Sequence, residues 1–129
     1  IGCWAFMHVF TGFILSIIFQ LAHVMPDCAY PLPNEAGRLE DTWAIHQMYT
    51  TTNFATGNRF ITWCFGGLNF QVEHHLLSNI CHVHYPNIAP IVEQTAKEFG
   101  VPYYSQSTFG SALVSHGRML YKLGRVEAA

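Results

Sequence analysis

Gly67-Leu-Asn-Phe-Gln-Val-Glu-His-His-Leu-Leu-Ser-Asn-Ile-Cys-His-Val-His-Tyr-Pro86 holds four of the chain's eight histidines. Within it, Gln71, His74 and His75 stand at i, i+3 and i+4, so a helix here puts all three on one broad face. The two imidazoles then lie about 100° apart around the axis and point to two sides of one small volume. That arrangement suits two neighbouring metal ions better than one ion in a tetrahedral cage. No cysteine has metal-site spacing with the pair, which disfavours thiolate zinc. Neutral imidazole accepts iron, copper, nickel or zinc, so ligand type alone does not choose the metal. The plainer reading is a pair of surface or packed histidines on an amphipathic helix. Against it stand Gly66-Gly67, which permit close backbone approach just ahead, and further histidines at 23, 46, 82 and 84 in a chain with little charge.

Working outward, the 25 residues before Pro26 contain no Asp, Glu, Lys or Arg. As a helix they extend about 37 Å, enough for a hydrocarbon core of about 30 Å, and a transmembrane helix over residues 1–25 is expected. Polar groups in lipid face protein or a cavity. Gln20 and His23 share one face at the helix's C-terminal end. His8 lies about 22 Å from His23 along the axis and cannot share an ion with it; a helix–helix hydrogen bond is its expected role. Residues 26–39 carry three prolines, a glycine and mixed charge, and read as a loop. All six Lys and Arg lie after residue 25, which places the C-terminal part in the cytoplasm.

A short helix is expected over 41–52, favoured by acidic residues at its start and weakened by Thr50-Thr51-Thr52. Phe60 to Phe70 is apolar but too short to span, and reads as an interfacial segment leading into a box helix over 68–77. His82-Val-His84 puts both imidazoles on one side if extended. With Cys81 it resembles part of a zinc cluster, although no fourth ligand is spaced for one; a structural turn is the better reading. Residues 86–99 have amphipathic periodicity through Ile88, Ile91, Val92, Thr95, Ala96 and Phe99, stopped by Gly100 and Pro102. Val101 to Tyr104 is a short extended link. Thr108 caps a last helix to Leu123, with Phe109, Ala112, Leu113, His116, Leu120 and Leu123 as its stripe and Gly124 as its stop. The last five residues are expected to fray.

The composition is half apolar, 15% aromatic and only 11% charged, against roughly 25% charged in soluble domains. Net charge is −2 and no basic patch is visible, so nucleic acid is excluded as a partner. Cys3, Cys28, Cys64 and Cys81 have no disulfide-framework spacing, in keeping with a reducing compartment.

Gly-Gly-Leu-Asn-Phe-Gln-Val-Glu-His-His-Leu, residues 66–76, resembles the third histidine box of membrane fatty acid desaturases. Its Gln-x-x-His-His form is similar to the front-end and linoleoyl-CoA-type branch. Phe19-Gln-Leu-Ala-His23 resembles the end of that family's last transmembrane helix. Trp43-Ala-Ile-His-Gln and Thr51-Thr-Asn-Phe54 resemble the segment leading to the third box. Ile80-Cys-His-Val-His-Tyr-Pro86 and Thr108-Phe-Gly-Ser-Ala112 resemble the C-terminal region. The family usually continues His-His-Leu-Phe-Pro; here Leu77-Ser78 replaces Phe-Pro, and loss of that helix stop predicts a longer box helix.

The resemblance implies an all-α fold: a membrane helical bundle fragment with one transmembrane helix (1–25), then a cytosolic helical domain (26–129). It implies an O2-dependent acyl-lipid or acyl-CoA desaturase with two non-haem iron ions. His74 and His75 would be the catalytic ligands, with His23 as a further ligand, Gln71 in or beside the ligand set, and His46 in reserve. Glu73 points off that face, toward solvent or behind the ligands. Trp43, Phe54, Trp63 and Phe70 are candidates to line the acyl route. The implied partners are membrane lipid, an acyl substrate, a cytochrome-type or ferredoxin electron donor, and an N-terminal part of the same protein bearing two more histidine boxes. The chain opens at Ile1 inside an apolar run, and residues 1–129 alone are expected to lack activity and hold metal poorly. A related diiron fatty acid hydroxylase, or a non-catalytic membrane module with a structural zinc, are the alternatives.

Overall fold

The computed structural model describes residues 1–125. Of the five terminal residues expected to fray, 126–129 lie outside the described residues. Helix α1, Gly2–His23, is long and apolar enough to cross a membrane by length and composition. Its first three turns are exposed, and burial begins only near the end, at Ile18, Leu21 and Ala22, continuing to Met25. It stops at His23, two residues before the expected Met25. Pro26 disfavours helical backbone at the residue before it, and Val24 leaves the helix as its cap.

Helix α2, Trp43–Thr50, is shorter than the expected 41–52. The threonines explain the stop. Thr50 Oγ1 donates to the His46 carbonyl at 2.9 Å, and Thr51 Oγ1 donates to the Gln47 carbonyl. These bonds satisfy carbonyls that the next helical turn would have taken. Thr51 is already extended, and strand β1, Thr52–Phe54, follows. Strand β2, Tyr104–Gln106, pairs with β1 in parallel, matching Thr52 to Tyr104, Asn53 to Ser105 and Phe54 to Gln106. The architecture is therefore mainly helical rather than all-α. The expected link at 101–104 runs into a strand, and a two-stranded ribbon closes over some fifty residues.

Helix α3, Arg59–Cys64, starts at Asn58, whose Oδ1 accepts from the Phe60 and Ile61 amides. Turns then lead through Gly66 and Gly67, both at positive φ. A Cβ on Gly67 would stand 2.6 Å from His82 Cβ, so only glycine lets the chain press this close to the 3-10 turn His82–His84. That turn is the structural turn expected at residues 82–84. The box helix, α4, is only Gln71–Leu76. It does not run past the missing proline. Leu77 leaves helical geometry, and the Ile80 amide closes a turn on the Leu77 carbonyl, as Ser78-Asn79 favour.

Helix α5, Tyr85–Glu98, and helix α6, Phe109–Leu123, stand where the periodicity puts them. Thr108 caps α6 in a reciprocal box with Ser111. Each amphipathic stripe is only partly covered: Ile91 on α5 and Phe99 at its C-cap, and Leu113, Leu120 and Leu123 on α6, are exposed. The two helices pack mainly on other elements. α5 packs on α4, and α6 packs on α1 and β2. One core gathers the end of α1 with Phe54, Phe65, Phe109 and Ala112. A second joins Met48, Val72 and Ala96, and a third Phe70, Tyr85 and Ala89. α4 begins between these last two, which fixes it in the middle of the fold.

Candidate metal centre

The end of α1 is pinned from three sides. The Tyr30 hydroxyl donates to the His23 carbonyl at 2.9 Å, His116 Nδ1 donates to the Val24 carbonyl at 2.8 Å, and His23 Nδ1 lies 3.4 Å from the Thr50 carbonyl. His116 is thus a packing residue of α6, as its stripe position predicts. The His23 ring faces the His75 ring edge to face, with centroids 5.0 Å apart. His75 Nδ1 lies 2.5 Å from Gln47 Oε1 on α2.

A carbonyl oxygen can only accept. Each Nδ1 therefore carries the proton, and each Nε2 keeps a free lone pair. Both lone pairs point at one place, occupied by the Gln71 amide: its Nε2 lies 3.3 Å from His23 Nε2 and 3.2 Å from His75 Nε2. Gln71 Oε1 is buried with no hydrogen-bond partner. His74 stands beside His75, ring centroids 5.9 Å apart, with its Nδ1 3.5 Å from the Tyr85 hydroxyl. Burial, then the neighbouring His23 and His74, push His75 down to about 4, so it is neutral near pH 7.

Of the two expectations for Glu73, solvent or a place behind the histidines, it is not solvent-facing. It is fully buried, with Oε2 accepting from Asn53 Nδ2 at 2.8 Å and Oε1 from the Tyr103 hydroxyl at 2.8 Å. Burial raises its carboxyl above the ordinary range, and those two hydrogen bonds oppose the rise. Burial, and then the Glu73 charge, raise Tyr103 as well.

His46 is half-buried on α2 with its Nδ1 buried and unpartnered. No hydrogen bond or ring contact links it to the other histidines among the described residues. His8 is exposed and packs edge-on against Trp4. Phe54 is core, walled by Phe65 and Phe109; Phe70 is buried; Trp43 and Trp63 are exposed. Among the described residues no three His, Cys, Asp or Glu side chains gather closely enough to hold one ion.

A family model for fatty acid desaturases matches residues 1–107. The chain belongs to the fatty acid desaturase family. It is 50% identical over 117 residues to an acyl-lipid (8-3)-desaturase of Physcomitrium patens, covering 91% of this chain and 24% of that protein. It is 46% identical over 115 residues to an sn-1 linoleoyl-lipid 6-desaturase of Synechocystis sp., covering 88% of this chain and 32% of that one. An acyl-lipid (8-3)-desaturase of Mortierella alpina is 38% identical over 114 residues, with 88% and 26% covered. The chain thus spans between about a quarter and a third of the length of these relatives. No solved structure matches it.

The iron that this desaturase family implies can be tested against the side chains present. Two imidazole lone pairs converge, their Nδ1 protons are held by acceptors as ligating histidines require, and the Gln71 amide between them has an oxygen with no partner. The donor set fits a nitrogen-ligated metal. Spacing missed the orienting residues, Gln47 and Thr50, and the partners of Glu73. Gln47 and Asn53 do lie within segments that carry the desaturase resemblance. Uncharged polar side chains in so apolar a chain were the available signal.

Proposed function

We propose that the intact protein is a membrane-bound desaturase acting on acyl chains, with a non-haem di-iron centre that takes His23, His74 and His75 from this chain. The convergence of His23 Nε2 and His75 Nε2 on Gln71 carries the reading. When bound, the iron pair would supply, with O2, two electrons and two protons, the oxidant that takes two hydrogens from an unactivated acyl chain and leaves a double bond and two waters. An alkane C–H bond has no acidity for a side-chain base to exploit, so the chain's own residues act by holding and orienting.

Gln47 and Thr50 hold the Nδ1 protons of His75 and His23 and so aim the two Nε2 lone pairs. Gln71, whose amide now donates to both, offers its unpartnered oxygen once the amide turns over. His75 stays neutral at cellular pH and needs no proton removed to bind metal. His46, with its unpartnered Nδ1, is the reserve donor.

α1 is proposed to span the bilayer: its 22 residues extend about 33 Å and its first turns are apolar and exposed. The Lys and Arg residues beyond it favour a cytoplasmic position for the centre. Two irons need more nitrogen donors than three histidines, and beyond His46 the rest are proposed to come from other parts of the intact protein. The names of the relatives favour an acyl-lipid substrate, and a cytochrome-type or ferredoxin protein is the proposed electron donor.

The test is metal and product analysis of the intact protein. About two irons per chain and an unsaturated acyl product are expected. One zinc with no product would favour a structural module instead.

A further inference from the structure

We propose that Glu73, Asn53 and Tyr103 form a clamp that sets the direction in which α4 presents His74 and His75, making Glu73 a positioning residue for the metal centre. The inference rests on the reading of those histidines as ligands. It starts from the weakness of α4 itself. A six-residue helix with no side-chain cap has no stability of its own. Something outside the helix must fix its rotation.

At about 100° per residue, Gln71, His74 and His75 fill one sector, and Glu73 falls roughly 150° from the middle of it. On that far face the hydrogen bonds close into a ring. The Val72 amide donates to Asn53 Oδ1 at 2.9 Å. That bond fixes which way the Asn53 amide points and turns its Nδ2 toward Glu73 Oε2, 2.8 Å away, and the Tyr103 oxygen, 2.7 Å away. The Tyr103 hydroxyl completes the ring at Glu73 Oε1. Asn53 is the central residue of β1, and Tyr103 immediately precedes β2. The parallel ribbon therefore carries both partners on one rigid piece.

The ring grips α4 at residues 72 and 73, directly before His74. Loss of the grip lets the helix roll and moves both imidazoles together. Packing alone does not explain the carboxylate, because burying a charge is costly and an apolar side chain would fill the space. A fully satisfied polar network adds a single direction of attachment.

The test compares Glu73→Gln, the double change Glu73→Gln with Asn53→Asp, and Tyr103→Phe in the intact protein. The double variant keeps one carboxylate and one amide but exchanges which residue carries each. Two readouts are taken: amide hydrogen exchange of residues 71–77 in metal-free protein, and iron per chain after reconstitution. Glu73→Gln removes one of the two acceptors and leaves a buried donor of the ring without one, and exchange in 71–77 is expected to rise by about tenfold, with α1 and α6 unchanged. Iron affinity should fall by about tenfold or more. Tyr103→Phe should do the same more weakly. The double variant should return both readouts to within about twofold of wild type. Wild-type exchange in Glu73→Gln, or a double variant no better than the single, would overturn the clamp. Faster exchange with unchanged iron affinity would overturn the positioning role. Wild-type protein that binds no iron would remove the ligand reading, while the exchange data would still decide the clamp.

Discussion

The two faces of α4 are built from similar side chains and treated in opposite ways. Toward β1 and β2, both oxygens of Glu73 have donors and nothing in the Asn53–Tyr103 ring lacks a partner. Toward α1 and α2, the Gln71 oxygen is buried without a partner, and two imidazole lone pairs meet across its amide. One face is closed by its own hydrogen bonds; the other keeps an unpaired buried oxygen between α4 and its neighbours. A polar group left unpaired in a buried site costs about 1–3 kcal/mol, so the open face is held open at a cost that a metal ligand set would offset. The contrast separates residues that build the site from residues that are the site.

The largest expected effect breaks the open face. His75→Ala or His23→Ala in the intact protein should lower desaturation by at least about a hundredfold, more than the loss of an orienting partner does. Accumulation in membranes should be unchanged, as blotting of membrane fractions would check. Wild-type product levels would remove the residue from the ligand set.

Next comes the residue that aims His75. Gln47→Leu removes the acceptor for Nδ1 and lets the proton move to Nε2, where it competes with metal. A loss of about 10- to 100-fold in iron affinity is expected, read by chelator competition. Gln47→Glu, which keeps an acceptor, should lose far less.

Gln47 also shows what the sequence does and does not make legible. A run of 25 uncharged residues marks one long apolar helix, and Thr108 marks the start of α6 from sequence alone. The i, i+3, i+4 spacing of Gln71, His74 and His75 likewise gives their shared face. These signals are local. The pairing of Thr52–Phe54 with Tyr104–Gln106 joins two three-residue strands some fifty positions apart, and neither strand is long enough to show alternation. The same separation hides the partners of Glu73, whose helical position shows only that it leaves the histidine face. Burial there comes from the ribbon, which no local period encodes.

A pH experiment sharpens the contrast further. The His75 pKa in the folded protein is held at about 4, below the ordinary 6.5. Between those values the unfolded chain binds more protons than the folded one, so stability rises with pH across that window. The metal-free protein should therefore lose stability as pH falls from about 6.5 toward 4, and His75→Gln should flatten that slope. Denaturant melts at pH 7 and pH 5 would measure it; an equal slope in both proteins would contradict the placement of His75.

The smallest effect lies far from both faces. Thr108→Ala removes the α6 capping box and should cost about 1 kcal/mol of stability without changing iron content or product yield. A change in product yield would show that α6 reaches the site more directly than through the His116 contact with Val24.

The central claim is that the open face of α4 holds iron through His23 and His75. Anomalous scattering at the iron edge from the intact, iron-loaded protein tests it most directly. The account predicts iron about 2.1 Å from Nε2 of His75, with His23 Nε2 in the same centre and each Nδ1 still bonded to Gln47 or Thr50. Iron bound elsewhere in the protein, with the His23 and His75 rings still closed on the Gln71 amide, would contradict it.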